Sequence, residues 1–264
     1  MMNISKRHVY FIEGGDNVGK TTTIQNFKSC KFIEEVKYNR IRFSKYPTSS
    51  ATNTINKLNT LYKENESRYS NKEVEENEYI KTKKSIIDSL INTMICDMIS
   101  SFDTLYNEKY VLIHPDDVLE ICDRGFLSTY LYQYRDIPGI PKLILDVDKE
   151  LEHLKDFINK HLPPTMNDIN VIILNNNANP LLSNIIIDDT ETIEYKKDFD
   201  NNIELQTRIN NSLNNIIALI QQEKICNLLP IKFYYINIFD DTGSIRKTSD
   251  EICKEIVSII NEEE

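Results

Sequence analysis

The stretch from His8 to Thr23, H-V-Y-F-I-E-G-G-D-N-V-G-K-T-T-T, constrains the fold more than any other part of the chain. Val9 to Ile12 is an apolar run of the kind a strand buried on both faces of a sheet requires. It leads into Gly14-x-x-x-x-Gly19-Lys20-Thr21, and then into Thr22 to Cys30, which lacks Gly and Pro and can be helical. Strand, glycine loop and helix in that order are the context in which this spacing makes a phosphate-binding loop. Loop N–H groups curl around phosphate oxygens, and the helix N-terminus adds partial positive charge. Gly14, Gly15, Asn17, Val18 and Gly19 would form the cradle, with Thr22 opening the helix. Lys20 would reach the β- and γ-phosphates, and the Thr21 hydroxyl would help to hold Mg²⁺. A site for ATP is the first expectation.

Composition narrows the field. A chain of 264 residues with no Pro/Gly/Ser-rich linker is expected to form one α/β domain over residues 1–264. A net charge of −10 argues against a nucleic-acid partner, which would need a field of Lys and Arg. Five scattered cysteines without a C-x-x-C pair read as reduced thiols, hence a cytoplasmic chain with mostly core cysteines. The four dispersed histidines do not suggest a structural metal site. The N-terminal M-M-N-I-S-K-R is polar, and no run of about 18 apolar residues exists, so neither a signal region nor a membrane span is expected.

Strands are predicted at Asn39–Ser44, Val118–Cys122, Ile169–Leu174 and Phe233–Phe239, with Tyr110–His114 a weaker candidate. Helices are predicted at Thr52–Tyr62, Ser85–Tyr106, Ser128–Tyr134, Asp146–His161, Lys196–Lys224 and Ser244–Ile260. The charged stretch Glu64–Lys84 reads as an exposed loop entering the next helix, and Pro138–Pro141 as a turn. Asn175 to about residue 195 reads as a mobile lid. Alternation of strands and helices predicts a mainly parallel, five-stranded sheet with helices on both faces. Ile86, Leu90, Met94, Met98 and Ile99 form an apolar stripe suited to a core or a subunit contact.

Asp123-Arg124 follows an apolar strand and opens D-R-G-F-L-S-T-Y-L-Y-Q. An Asp there can support Mg²⁺ opposite the phosphate loop, and the adjacent Arg offers a planar fork to a phosphate. Lys20, Asp123 and Arg124 are therefore the catalytic candidates, with Thr21 and Asp123 for the metal.

At these residues a resemblance becomes visible. F-I-E-G-G-D-N-V-G-K-T-T resembles the thymidylate kinase loop F-E-G-x-D-x-x-G-K-[ST]-T, in the family of nucleoside monophosphate kinases with a phosphate loop. D-R-G-F-L-S-T-Y-L-Y-Q resembles D-R-x-x-x-S-x-x-A-Y-Q, with Leu131 in place of Ala, and Lys45-Tyr46-Pro47 stands where the family has Arg-Glu-Pro or Arg-Phe-Pro. Specific motifs cover about the first half of the chain. It is longer than compact members, with apparent insertions near 64–84, 107–117 and 134–166, as in a divergent viral or phage-like member.

The resemblance implies transfer of the ATP γ-phosphoryl to a deoxynucleoside monophosphate, with Mg²⁺, in a helix-packed homodimer. It implies that Asp16 bonds the acceptor 3′-hydroxyl, that Arg124 and Lys45 hold the acceptor phosphate, and that Ser128, Thr129 and Gln133 line the acceptor site. Tyr132 would fill the space of a ribose 2′-hydroxyl. Three departures stand out. Thr48 and Ser49 follow Pro47 where an Arg is common. Met94 and Met98 align with a base-facing F-x-x-x-R. The lid carries no Arg, with Lys196 and Lys197 the nearest cations. A deoxynucleoside kinase is the rival reading, although Ser44-Lys45-Tyr46-Pro47 is cationic where that chemistry needs a base. A nucleotide-binding protein without turnover is the third.

Overall fold

The computed structural model describes residues 8–15, 18–29, 32–36, 38, 40–106, 118–162, 169–175, 193–225, 231–239 and 246–262, with backbone alone at 40, 101–106 and 193–203. Five strands form one sheet: β1 (His8–Gly14), β2 (Arg40–Lys45), β3 (Val118–Asp123), β4 (Ile169–Asn175) and β5 (Ile231–Asn237). Their order is β2-β3-β1-β4-β5, and every pairing is parallel. Seven α-helices accompany them among the described residues: α1 (Lys20–Lys28), α2 (Ser49–Ser70), α3 (Glu76–Tyr106), α4 (Phe126–Tyr132), α5 (Val147–His161), α6 (Ile193–Gln221) and α7 (Ser249–Glu262). This is the P-loop NTPase fold.

The side-chain period of two divides each central strand between two cores. Val9 and Phe11 of β1, with Val171 and Ile173 of β4, face the cluster built by α3, α4, α5 and α6. Tyr10 and Ile12, with Ile172 and Leu174, face the opposite cluster, where α1 and α7 pack. Each fully buried side chain of this kind contributes about 2 kcal/mol relative to exposure, so covering both faces favours the unbroken apolar runs seen in sequence. Lys45 lies level with Asp123, and Ile12 with Asp123, so the C-terminal ends of β1, β2 and β3 share one edge. Ligands bind at that edge in parallel sheets.

The charged stretch after Tyr62 is helix, not loop. Helix α2 continues to Ser70 and reverses into α3 as a hairpin. The reversal is a Schellman cap: Lys72 is left-handed with φ 60°, Glu73 N–H bonds Arg68 O at 2.8 Å, and Lys72 N–H bonds Tyr69 O at 3.0 Å. A polar clamp holds the hairpin, with Glu66 accepting from the Tyr79 hydroxyl at 2.7 Å and the Lys83 ammonium at 2.8 Å. The apolar stripe packs inside the chain. Ile86 and Leu90 are buried against Ala51 and Ile55 of α2, Met94 leans on that cluster, and Met98 enters the main core.

A buried polar network joins α4, α5 and α6. Arg135, in a 3₁₀ turn after α4, donates to Glu150 at 3.1 Å, the Ser212 hydroxyl at 2.8 Å and the Pro141 carbonyl at 3.1 Å. Glu150 also accepts from the Tyr130 hydroxyl at 2.6 Å and the Asn215 amide at 3.4 Å. Both charged partners are inaccessible, at 1% and 0%. Burial, and after it the Glu150 charge, push the Tyr130 phenol up, so it keeps its proton and donates.

Candidate functional site

The phosphate loop leaves β1 through Gly14, whose φ is +146°. A Cβ there would stand 2.6 Å from the Leu174 carbonyl oxygen, so only glycine lets the chain turn this close to β4. Gly15 is buried, and Val18 is anchored in the core beneath α1. Gly19 is the N-cap of α1 and supplies no side-chain cap, while Thr21 and Thr22 are exposed in the first turn. The first N–H groups of α1 are thus available to an anion. Asp16 and Asn17, and the expected lid between 176 and 192, lie outside the described residues.

Lys20 is folded into its own loop, with its ammonium donating to the Gly14 carbonyl at 3.0 Å and to the Gly15 carbonyl. It is 6% exposed. Thr21 Oγ1 donates to Asp123 Oδ2 at 3.0 Å, which joins the first turn of α1 to the end of β3. Asp123 is itself buried, and its other oxygen, Oδ1, has no hydrogen-bond partner. A buried carboxylate oxygen left unsatisfied costs about 1–3 kcal/mol, and a cation removes that cost. A hydroxyl and a carboxylate are hard donors that suit Mg²⁺, which takes one or two protein ligands and completes its shell with phosphate oxygens and water. The residues present therefore fit that ion. Among the described residues no three His, Cys, Asp or Glu converge as a self-contained metal cluster.

Arg124 follows Asp123 in a left-handed conformation, φ 70°, with its N–H bonded to the Ile12 carbonyl at 3.2 Å. Its guanidinium lies 5.3 Å from the centre of the Tyr132 ring. Beside it opens a cavity of about 140 Å³. Helix α3 contributes Met94, Ile95 and Met98; Tyr46 and Pro47 close one side; Ser128, Thr129, Tyr132 and Gln133 close the other. Thr129 and Ser128 are nearly covered, Tyr132 and Gln133 half-buried, and the Thr129 hydroxyl points to Met94 Sδ at 3.8 Å. Lys45 stands exposed at the end of β2 and does not line the cavity.

Two carboxylates with no expected role stand at the site. Glu13, in the loop-bearing strand, is fully buried and accepts from the Ser128 N–H at 3.2 Å and the Ser128 hydroxyl at 2.5 Å. Ser128 is thus bound to β1 across 115 residues. Burial pushes the Glu13 carboxyl up, against the two Ser128 bonds and the charges of Lys20 and Arg124. Asp97 of α3 accepts from the Thr48 N–H at 2.7 Å, the Thr48 hydroxyl at 2.5 Å and the Ser50 hydroxyl at 3.1 Å, and so anchors the residue before α2 beside Pro47.

A carboxyl raised in the folded state stabilises fully below its unfolded value and loses that contribution as pH rises through the folded value. Glu13→Gln can keep both Ser128 contacts, since its amide oxygen accepts the N–H and its amide N–H reaches the hydroxyl. The wild-type chain should therefore lose thermal stability relative to Glu13→Gln as pH climbs above about 4.5. Melting temperatures of both chains at pH 5 and pH 8 check this. A constant difference between them would refute it.

The chain matches no protein-family model and no curated protein. Its class rests on its own topology and loop: a P-loop NTPase fold with a phosphate loop, an Asp–Arg strand end and an adjoining cavity on one edge of the sheet.

Proposed function

We propose that this chain is a nucleoside monophosphate kinase of thymidylate kinase type, moving the γ-phosphoryl of ATP to dTMP or a related deoxynucleoside monophosphate. The observation that carries the reading is the placement of Arg124. It follows Asp123, whose carboxylate holds Thr21 on the donor side, and lines the cavity that would take the acceptor. Phosphoryl transfer needs in-line positioning and positive charge on the equatorial oxygens more than it needs covalent chemistry. Lys20 supplies charge from inside the loop, and Arg124 from the acceptor side. Bound Mg²⁺, held by Thr21 and Asp123, would neutralise the β- and γ-oxygens. An acceptor phosphate has its second pKa near 6 and is largely dianionic at neutral pH, so no general base is needed. The cationic end of β2, Lys45, agrees with such an acceptor better than with a bare hydroxyl. Asp97 does not supply a base on this reading, because its oxygens hold Thr48 and Ser50.

Product analysis of the purified chain with ATP and Mg²⁺, against a panel of nucleosides and monophosphates, tests the reading. Conversion of a deoxynucleoside monophosphate to its diphosphate is expected. Phosphorylation of thymidine with every monophosphate untouched would instead identify a deoxynucleoside kinase. Nucleotide binding without any product would leave a binding protein.

Arg124→Ala should weaken acceptor binding and turnover together, by about 2 kcal/mol in kcat/KM. Tyr132 packs on that guanidinium, so the two side chains are not independent. Tyr132→Ala should lower discrimination for deoxyribose and also loosen Arg124. A double-mutant cycle should give a coupling of about 0.5–1 kcal/mol. Strictly additive losses would mean that the stacking does not position Arg124.

A further inference from the structure

Arg246 stands at the phosphate loop although more than two hundred residues separate it from Gly19 in the chain. Its backbone is pinned on both sides. Phe239 and Arg246 form an antiparallel bridge just beyond β5, and the next N–H, from Lys247, bonds the Ile238 carbonyl at 2.8 Å. Immediately afterwards Thr248 opens α7 in a reciprocal cap. Its N–H and hydroxyl donate to Glu251 at 2.6 and 2.7 Å, and its hydroxyl accepts the Glu251 N–H at 3.3 Å. Lys247 is drawn away to Glu255 at 2.6 Å. The Arg246 guanidinium takes the other direction. A carbon placed on Gly19 as a Cβ would meet its Nη2 at 3.3 Å. Gly19 is the residue from which the first N–H groups of α1 open, so the exposed guanidinium lies against the mouth of the loop.

The charge of the site makes this placement consequential. Lys20 and Arg124 stand there with two buried acids, Asp123 and Glu13. A triphosphate brings several more negative charges, and residues 175–194, the expected lid, contain no Arg or Lys. A guanidinium offers a planar, permanently charged fork for phosphate oxygens.

We infer that Arg246 is a donor-nucleotide binding residue, whose guanidinium takes phosphate oxygens of the triphosphate seated in the loop. This rests on the proposed occupancy of the loop by ATP. Lys20 would then hold the phosphate chain from within the loop and Arg246 from the β5 side, which closes the donor site without an arginine from residues 175–194.

Calorimetric titration of ATP with Mg²⁺, and separately of inorganic tripolyphosphate, distinguishes the two levels. The chains compared are wild type, Lys20→Ala, Arg246→Gln and Arg246→Lys. Arg246→Gln should weaken both ligands about tenfold, and Arg246→Lys by less, because a point charge keeps the attraction and loses the fork. Thermal melts of each variant are recorded alongside, and Arg246→Ala repeats the measurement should Gln disturb the fold. If wild type binds neither ligand, the loop reading itself fails. If wild type binds ATP, Lys20→Ala does not, and Arg246→Gln binds as wild type does, only the Arg246 inference is overturned. A loss for ATP with tripolyphosphate unaffected would place the guanidinium on the base or sugar, and overturn the phosphate contact.

Discussion

Lys20→Ala is expected to lower kcat by at least about a hundredfold, while the fold stays intact. The Gly14 and Gly15 carbonyls hold the ammonium inside the loop, which keeps its charge at the proposed phosphate site. Removing one preorganised electrostatic partner of that kind costs about 2.7–4 kcal/mol in the barrier. The side chain is nearly buried, so the truncation also frees two loop carbonyls that it had satisfied. Both glycines are buried, so acceptors left unsatisfied add a structural cost of about 1–3 kcal/mol. Single-turnover measurement with saturating ATP separates the two effects. A kcat within threefold of wild type, under conditions where the wild-type chain transfers phosphate, would remove Lys20 from the chemistry.

Glu150→Ala should be the most destabilising single change, by about 3–5 kcal/mol. The substitution strands the buried Arg135 charge and leaves the Tyr130 hydroxyl without its acceptor, while Asn215 keeps the Ile144 carbonyl. Replacing a buried pair by apolar side chains of similar size is often neutral, but that rule presumes no further donors on the pair. Here Arg135→Met with Glu150→Leu should recover only part of the loss, because Tyr130 still lacks its partner. Chemical denaturation of the three chains measures this, and full recovery in the double variant would refute the network argument.

Much of the scaffold was legible because burial on both faces writes each strand as an apolar run. Val9–Ile12, Val118–Cys122 and Ile169–Leu174 all fall within strands of the sheet, as does most of Asn39–Ser44. The phosphate loop and Asp123-Arg124 were legible for another reason: tight turns and charged strand ends depend on residues close in sequence. The length of α2 was not. Its Schellman cap closes on Lys72 instead of glycine, and α6 ends similarly on Glu223 at φ 54°, so neither terminus carries a stop signal. Glu13, Asp97 and Arg246 were missed because each acts through a partner far along the chain. No local pattern announces that Glu13 meets Ser128 or that Arg246 meets Gly19.

The Glu13–Ser128 contact has a mechanical side. It rivets the first turn of α4, where the acceptor would sit, to the strand that carries the donor loop. On the proposed reading, this contact fixes the acceptor cavity against the strand that carries the donor loop, so the two sites share one mount. The rivet should also appear as slow exchange: the Ser128 amide hydrogen ought to persist as long as those of β1, and longer than amides elsewhere on α4. Rapid exchange at Ser128 would mean that the two sites breathe apart, and that something other than this contact holds them in place.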